Sequence, residues 1–374
     1  MKVSSDILSL VPYKPGKPIS ETQREYGLTK VIKLASNENP LGPSPMAVEA
    51  MTQALQNLHR YPDPAFYELM QLVSKQWRLP TNMLSAGNGS NEIIDVLIRV
   101  YCEPGEAILT TEAAFIAYQI CAQAARVKTY FTPLKSGFQM DLTAMANFLK
   151  TSPDAYKVKL IFLPNPNNPT GTYVKWEEVK NFLDQFGSDP DRLIIFDEAY
   201  TEYARAKDYR SPMEDMSKYP SVVVIRTLSK AYGLAGLRVG LLVAPPHVID
   251  LYNRVRNTFN VNEIAQVAAV AALQDADFLR KSQQVNWEGL DYFYEELRKM
   301  NLPFVESQAN FVMFDTRRDV VKVNEALLKR GVILRPILNY GFKTQMRMSV
   351  GLPEENRFAI EKLREVLQEI PAIT

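Results

Sequence analysis

Neither sign of charge is in excess in this 374-residue sequence: 43 lysines and arginines stand against 42 aspartates and glutamates, a formal net charge of +1. That balance gives no electrostatic reason to expect nucleic acid or a membrane surface as a partner. Histidine is almost missing, with His59 and His247 alone, and cysteine stops at Cys102 and Cys121. No His/Cys cluster has metal-ligand spacing, so no metal site is expected. Two thiols in apolar or small-residue surroundings read as free buried cysteines of a cytoplasmic protein, not as a disulfide framework. No apolar run approaches the ~20 residues a membrane-spanning helix needs, and the opening MKVSSDILSL lacks the apolar core of a secretory leader. The G-x-G-x-x-G dinucleotide fingerprint is absent, which counts against a nicotinamide dehydrogenase. No basic helical module precedes residue 46, as a DNA-binding regulator would require.

What is present is alternation. Strands are expected at Met83–Gly87, Ala107–Thr110, Lys159–Leu163, Leu193–Phe196 and Val222–Ile225, separated by helical patterns at 92–101, 112–125 and 176–186. Alternating strands and helices imply an α/β fold with a mainly parallel central sheet flanked by helices, and ligands gather at the C-terminal ends of such strands. Beyond a long helical pattern at 278–300 the rhythm changes to a smaller α+β unit: strand Asn310–Phe314, helix Val320–Arg330, strands Val332–Arg335 and Gln345–Gly351, helix Glu355–Ile370. Residues 1–46, rich in proline, read as an extended arm with one short strand at Val31–Leu34. The expected domains are therefore an arm, 1–46, packing on the small unit; a large domain, 47–280; and a small C-terminal domain, 281–374.

One stretch organises the rest, Ser221–Gly240, SVVVIRTLSKAYGLAGLRVG. An apolar β-branched run ends where Lys230 appears, glycines and alanines follow, and a second strand begins at Val239. A lysine on a sheltered loop can lose its proton near neutral pH, as one that forms a Schiff base with a phosphorylated aldehyde must. The Thr227 hydroxyl and Arg238 guanidinium suit a phosphate, and the glycines let the backbone come close. Read alone, this is equally an ordinary strand–turn–strand with a solvated lysine.

Other strand ends carry matching chemistry. Gly87-Asn88-Gly89-Ser90 leads into a helix with Ser90 as its expected N-cap, a phosphate seat in physical terms. Asp197 follows an apolar strand and suits a carboxylate that pairs with a protonated pyridine nitrogen. Tyr200 and Asn168 can reach a ring oxygen, and Phe115 can cover a ring face. Each of these residues is more often structural when taken singly; their shared position at one sheet edge shifts the balance.

In their order along the chain, Gly87-Asn88-Gly89-Ser90, Asn165-Pro166-Asn167-Asn168-Pro169-Thr170-Gly171, Asp197-Glu198-Ala199-Tyr200 and Ser229-Lys230 with Arg238 resemble the fold type I pyridoxal-phosphate aminotransferases, over nearly the whole chain. Within them the sequence looks like the histidinol-phosphate aminotransferase family, through Pro12-Tyr13-Lys14-Pro15-Gly16, Ser36-Asn37-Glu38-Asn39-Pro40-Leu41-Gly42, Arg60-Tyr61-Pro62-Asp63, Arg226-Thr227-Leu228-Ser229-Lys230-Ala231 and Gly331-Val332-Ile333-Leu334-Arg335-Pro336. The resemblance implies pyridoxal 5'-phosphate as cofactor, with Lys230 as the cofactor lysine and proton carrier. It implies Asp197 on the pyridine nitrogen, Asn168 and Tyr200 on the ring oxygen, and Phe115 stacked on the ring. Ser90, Asn91, Thr227, Ser229 and Arg238 would seat the phosphate, and Tyr61 would reach the phosphate of the neighbouring subunit in a homodimer. Arg347 would bind the substrate carboxylate, with Arg335 as a second cation and Tyr13 adding a hydroxyl. The implied reaction is amino transfer between L-histidinol phosphate and 2-oxoglutarate. An aromatic amino acid aminotransferase, and a pyridoxal-phosphate-dependent decarboxylase of amino acid phosphates, share these motifs.

Overall fold

Three apolar runs set the centre of the computed structural model, which describes residues 3–12 and 16–373. They are β5 (Val158–Pro164), β6 (Leu193–Asp197) and β7 (Val222–Thr227), adjacent and parallel, in a seven-stranded sheet ordered β2-β8-β7-β6-β5-β3-β4. The remaining strands of that sheet are β2 (Leu84–Asn88), β3 (Ala107–Thr111), β4 (Lys128–Thr132) and β8 (Val239–Val243). β8 runs antiparallel to both β7 and β2, and the other pairings are parallel. Side chains alternate between the two faces with the period-2 geometry of a strand. Ile194, Phe196, Val222 and Val224 enter one buried cluster, while Leu193, Ile195, Val223 and Ile225 enter another on the opposite face. Burial on both faces is why these strands read as continuous apolar runs.

The helices that cover this sheet are α3 (Pro45–Ala54), α4 (Tyr67–Trp77), α5 (Ser90–Tyr101), α6 (Ala117–Ala124), α7 (Leu142–Thr151), α8 (Trp176–Phe186), α9 (Pro246–Val255) and α10 (Glu263–Gln274). Several have side-chain caps: Ser44 before α3, Asp141 before α7 and Asn262 before α10 accept first-turn N–H groups. A smaller antiparallel sheet, ordered β12-β13-β10-β9, comprises β9 (Phe304–Val305), β10 (Phe311–Asp315), β12 (Arg335–Pro336) and β13 (Gln345–Ser349). It packs with α11 (Ala276–Lys299), α12 (Val320–Leu328) and α13 (Pro353–Glu369) around a separate apolar cluster that includes Phe293, Phe314, Val323 and Leu363. β1 (Ile32–Lys33) pairs in parallel with β11 (Val332–Ile333), so the start of the chain is stitched to this second unit.

The expected α/β architecture, with a mainly parallel sheet and a smaller α+β unit, is present. Several local expectations are corrected. The arm carries two helices, α1 (Ser5–Leu8) and α2 (Ile19–Tyr26), where an extended chain was expected. The helix expected from 112 begins only at Ala117: the Glu112 N–H still extends the sheet by donating to Thr132 O at 2.9 Å, and Ala113 turns with φ 49°. The strand expected at Val332–Arg335 is two strands that join different sheets. Strand β4 and helix α7 had no counterpart in the sequence reading.

Candidate active site

The polar clusters after β3, β5, β6 and β7 meet the start of α5 around one cavity of about 400 Å³. Its lining includes Ser90, Asn91, Phe115, Asn168, Asp197, Tyr200, Thr227, Ser229, Lys230, Arg238 and Arg347. These come from six separate stretches of chain; all but Arg347, which the smaller sheet supplies, are brought together because parallel strands present their C-terminal ends on the same side.

One end of the cavity is an anion seat. Gly89, not Ser90, is the N-cap of α5, and no side chain caps that helix. The first-turn N–H groups therefore face outward with the positive end of the helix dipole behind them. Gly89 has φ +77°, and a Cβ there would lie 2.3 Å from Arg238 Nη2. Glycine is thus what lets the guanidinium lie against the turn. A Cβ on Gly240 would lie 2.6 Å from the Ser90 nitrogen, so β8 sits directly beneath the seat. Arg238 Nη1 donates to Ala235 O at 3.1 Å and to Ser229 Oγ at 3.4 Å, and no carboxylate pairs with it among the described residues. Thr227 Oγ1 donates to Ser229 Oγ at 2.9 Å, which sets both hydroxyls on the same side. A cation, two hydroxyls and the free N–H groups of a helix N-terminus form a donor set for a phosphate; the one acid of that first turn, Glu92, is engaged by the Asn88 N–H and by Asn260 Nδ2, each at 2.6 Å.

Beyond the seat lies Lys230. Its Nζ is 3.5 Å from Ser36 O and 5.8 Å from the centre of the Tyr200 ring. Burial, then the positive field of Arg347 and Arg238, lowers its ammonium to about 8, against the pull of Glu38 and Asp197. A lysine so placed exposes a neutral amine at a pH where a solvated one does not.

Asp197 is the buried acid of the site. Its Oδ2 accepts from Tyr118 Oη at 2.6 Å and its Oδ1 from the Ala199 N–H at 3.2 Å. No ion pair reaches it among the described residues, and burial raises its carboxyl above the ordinary range, against those two hydrogen bonds and Lys230. A buried carboxylate with no cation of its own favours a ligand that brings a positively charged N–H. Tyr200, raised to about 12 chiefly by burial, keeps its proton; its oxygen accepts from Asn37 Nδ2 at 2.9 Å, leaving its own O–H to donate. Phe115 stands at the cavity wall, edge-on to Tyr118 at 5.8 Å. Lysine, lone carboxylate, phenol, ring face and phosphate seat together fit a flat, phosphorylated ring bearing an aldehyde and a basic nitrogen.

The facing wall comes from elsewhere in the chain. Arg347, on β13, is buried; it donates through Nη1 to Asn168 Oδ1 and through Nη2 to Ala35 O at 2.8 Å. With its oxygen engaged by Arg347, Asn168 turns its NH2 toward other acceptors. Asn37 accepts from Ser349 Oγ through Oδ1 and receives the Asn310 side-chain amide on its carbonyl. Asn39 Nδ2 donates both to Ala231 O, beside Lys230, and to Ser282 Oγ, at 2.9 Å each. Residues 35–39 thus run between the two sheets and tie each to the cavity.

Two sequence candidates do not line the cavity. Tyr61 is 82 % exposed and stacks on Phe259 at 4.6 Å. Arg335 stands opposite Arg347 in the β12–β13 register, half-buried, outside the lining. Tyr13 lies outside the described residues. Two residues were missed. Asn37 lay within a quoted cluster whose spacing read as turn chemistry. Tyr118 lies in the first turn of α6, with Phe115 just ahead of that helix and edge-on to the Tyr118 ring; a second aromatic three residues on was the available signal.

With this geometry in place, comparison with known proteins defines the class. The chain belongs to the aminotransferase class I and II family, whose sequence model matches residues 29–363. Within that family its relatives are histidinol-phosphate aminotransferases. One from Bdellovibrio bacteriovorus is 58 % identical over 370 residues, covering 99 % of each chain. Another, from Moorella thermoacetica, is 42 % identical over 367 residues, covering 98 % of this chain and 93 % of the relative. The crystal structure of histidinol-phosphate aminotransferase from Sinorhizobium meliloti, in complex with pyridoxal-5'-phosphate, superposes with a TM-score of 0.88 at 25 % identity, covering 98 % of both chains. An aspartate aminotransferase from Thermotoga maritima, 21 % identical over 98 % of this chain and all of that one, shares the fold with a TM-score of 0.83.

Proposed function

We propose that this chain is a pyridoxal-phosphate-dependent aminotransferase that interconverts L-histidinol phosphate and 2-oxoglutarate with imidazole acetol phosphate and L-glutamate. The observation that carries this reading is a half-buried lysine of lowered basicity, set between the anion seat of Arg238 and α5 and a buried carboxylate with no ion pair among the described residues, opposite a buried arginine. The 58 % identity to a named histidinol-phosphate aminotransferase over the full chain supports the substrate.

Ser90, Asn91, Thr227, Ser229 and Arg238 would hold the cofactor phosphate, Asp197 its ring nitrogen, Asn168 and Tyr200 its ring oxygen, and Phe115 its face. Bound there, pyridoxal phosphate supplies an electrophilic carbonyl and an electron-withdrawing ring that takes up the electrons of a breaking substrate Cα–H bond. Asp197 favours the protonated form of the ring nitrogen because its own carboxylate gains the cation it lacks. Lys230, its basicity lowered to about 8, has a neutral fraction available to remove and return the proton at the substrate carbon. Arg347 offers its guanidinium to an anion: the carboxylate of glutamate, or the phosphate of histidinol phosphate. Arg335 and Tyr13 are assigned to the phosphate end of the longer substrate.

A homodimer is part of this proposal. Met46, Val48, Leu55 and Leu58, exposed on α3 and directly after it, give a second copy apolar surface to cover, and Tyr61 would then reach the other subunit's phosphate seat. The arm, large domain and small domain are read as 1–46, 47–280 and 281–374. A cytoplasmic enzyme without nucleic acid or membrane partners agrees with the free Cys102 and Cys121 and with the lack, among the described residues, of any helix long and apolar enough to cross a membrane.

A half-reaction screen tests the substrate. Histidinol phosphate and glutamate should each convert the visible absorbance of the bound cofactor to that of its aminated form. Conversion by phenylalanine or tyrosine, with histidinol phosphate inert, would overturn the substrate and leave amino transfer standing. Hybrid dimers of Lys230→Ala and Tyr61→Ala chains should regain activity; an active monomer would overturn the dimer.

A further inference from the structure

Beneath the cavity lies a buried charged cluster that none of these roles uses. Strand side chains alternate, so Asp197 and Thr227 face the cavity while Glu198 and Arg226, next to them in sequence, face away. On that far side they meet. Glu198 is 1 % exposed, and its Oε2 accepts from Arg226 Nε at 3.0 Å and Nη2 at 2.8 Å. The Arg226 guanidinium lies 4.8 Å over the Trp77 ring of α4. Glu202, Tyr209 and Tyr232 complete the surroundings.

The backbone beside the pair is cross-tied at the strand ends. Glu198 N–H donates to Ile225 O at 2.8 Å, and Asn165 N–H to Asp197 O at 3.0 Å. Tyr209 Oη donates to Asn165 O at 3.1 Å or to Thr201 Oγ1 at 2.8 Å. The ends of β5, β6 and β7 therefore meet over one ion pair. Those three ends carry Asn168, Asp197 and the Thr227–Lys230 loop. A buried ion pair is weak evidence for stability, because desolvation offsets much of its attraction. It does impose a fixed separation, since breaking it leaves a buried charge uncompensated.

We propose that Glu198 and Arg226 are positioning residues: a clamp on the far face of the sheet that sets Asp197, at one strand end, relative to Lys230, beyond its neighbour. The proposal rests on the reading of Lys230 and Asp197 as the groups that hold the cofactor. Neither member of the pair touches the cavity, so the clamp acts only through the backbone it spaces and the field it balances.

Holoenzymes of the parent chain, Glu198→Gln and Glu198→Asp test this through three readouts: kcat, KM for the amino donor, and the pH titration of the cofactor's visible absorbance. Glu198→Gln should lower kcat about ten- to a hundred-fold, the scale of a small misplacement of reacting groups, with KM little changed. It removes the charge hydrogen-bonded to Arg226 and leaves only Glu202, which makes no hydrogen bond to it, so the absorbance midpoint should move down by up to about one pH unit. Glu198→Asp keeps the charge and shortens the reach: kcat should fall while the midpoint stays near that of the parent, and this variant carries the test if the glutamine form does not fold. Parent values of kcat and midpoint in both variants, with only the melting temperature lowered, would overturn the clamp. Failure of the underlying reading looks different, since the parent itself would then show no borohydride-reducible cofactor on Lys230.

Discussion

The two sides of the cavity are built in different ways. The floor, formed by the strand ends of the large sheet, is made from units within that one sheet, several of them short-range: Thr227 to Ser229, two residues apart, and the cap of α5 beside its own strand, with Arg238 laid against Gly89. The facing wall is made from long-range ones: Asn37 with Ser349 across 312 residues, and Arg347 with Asn168 across 179. A floor of local turns on a rigid sheet suits a cofactor that stays. A wall assembled from the second unit and the segment at residues 35–39 suits a substrate that comes and goes. By this division, floor substitutions should alter cofactor-centred readouts and wall substitutions should alter substrate affinity.

The sharpest break is Lys230→Ala. The anion seat of Arg238, Thr227 and the α5 N-terminus remains, so cofactor should still bind, as equilibrium dialysis would show. Turnover should fall by at least the ~10²–10⁴-fold that a positioned proton carrier contributes. Loss of cofactor binding would mean that the lysine, and not the seat, holds the floor together.

Arg347→Ala probes the wall. Losing a charge-assisted contact to the substrate anion costs roughly 1.5–3 kcal/mol, about a ten- to hundred-fold rise in KM. The absorbance of the resting holoenzyme should keep its intensity. A lost cofactor band with unchanged KM would reverse the division.

Tyr118→Phe tests whether the floor extends beyond the residues the sequence pointed to. It removes the 2.6 Å hydrogen bond to Asp197 while keeping the ring stacked on Phe162 at 4.7 Å. Without that donor the carboxylate is less well stabilised in its charged form, so its pKa should rise and its hold on a protonated ring nitrogen weaken. A fall in kcat of about tenfold, the worth of one hydrogen bond to a charged group, is expected with little change in KM. Unchanged kcat and absorbance would confine Tyr118 to packing.

The floor was also the more legible half. Apolar runs such as Val222–Ile225 end in polar clusters, and parallel strand ends converge, so Lys230, Asp197, Asn168 and Arg238 could be placed together before any coordinates. Tyr118 was hidden because an aromatic on an apolar helix face is usually core, and it is fully buried here. On the wall, Arg347 was reached by resemblance alone; nothing local signals that β13 brings it to Asn168. Asn37 read as turn chemistry for the same reason. Edge strand β4 was passed over because its exposed, polar-rich Lys128–Thr132 lacks an apolar run, and the proline spacing of the arm concealed α2, which starts directly after Pro18.

The smallest expected effect concerns the charge beneath the floor. Glu202 is half-buried near the Arg226–Glu198 pair, and burial raises its carboxyl from 4.5 to about 7, with Glu198 adding to the rise and Arg226 opposing it. An acid that holds its proton more tightly folded than unfolded stabilises the fold fully below about pH 4.5, and that contribution disappears as pH rises through about 7. Glu202→Gln cannot titrate. Arg226 stays protonated in that window, and Tyr203, Tyr209 and Tyr232 are all pushed above their ordinary range. The difference in melting temperature between parent and variant should therefore move in the variant's favour between pH 5 and pH 8. Allowing for water at a half-buried side chain, the change is on the order of 1–2 kcal/mol, a few degrees in a chain of this size. Calorimetric curves that run parallel from pH 5 to pH 8 would show that Glu202 is solvated enough to titrate normally, leaving the floor's stability over that range independent of this carboxylate.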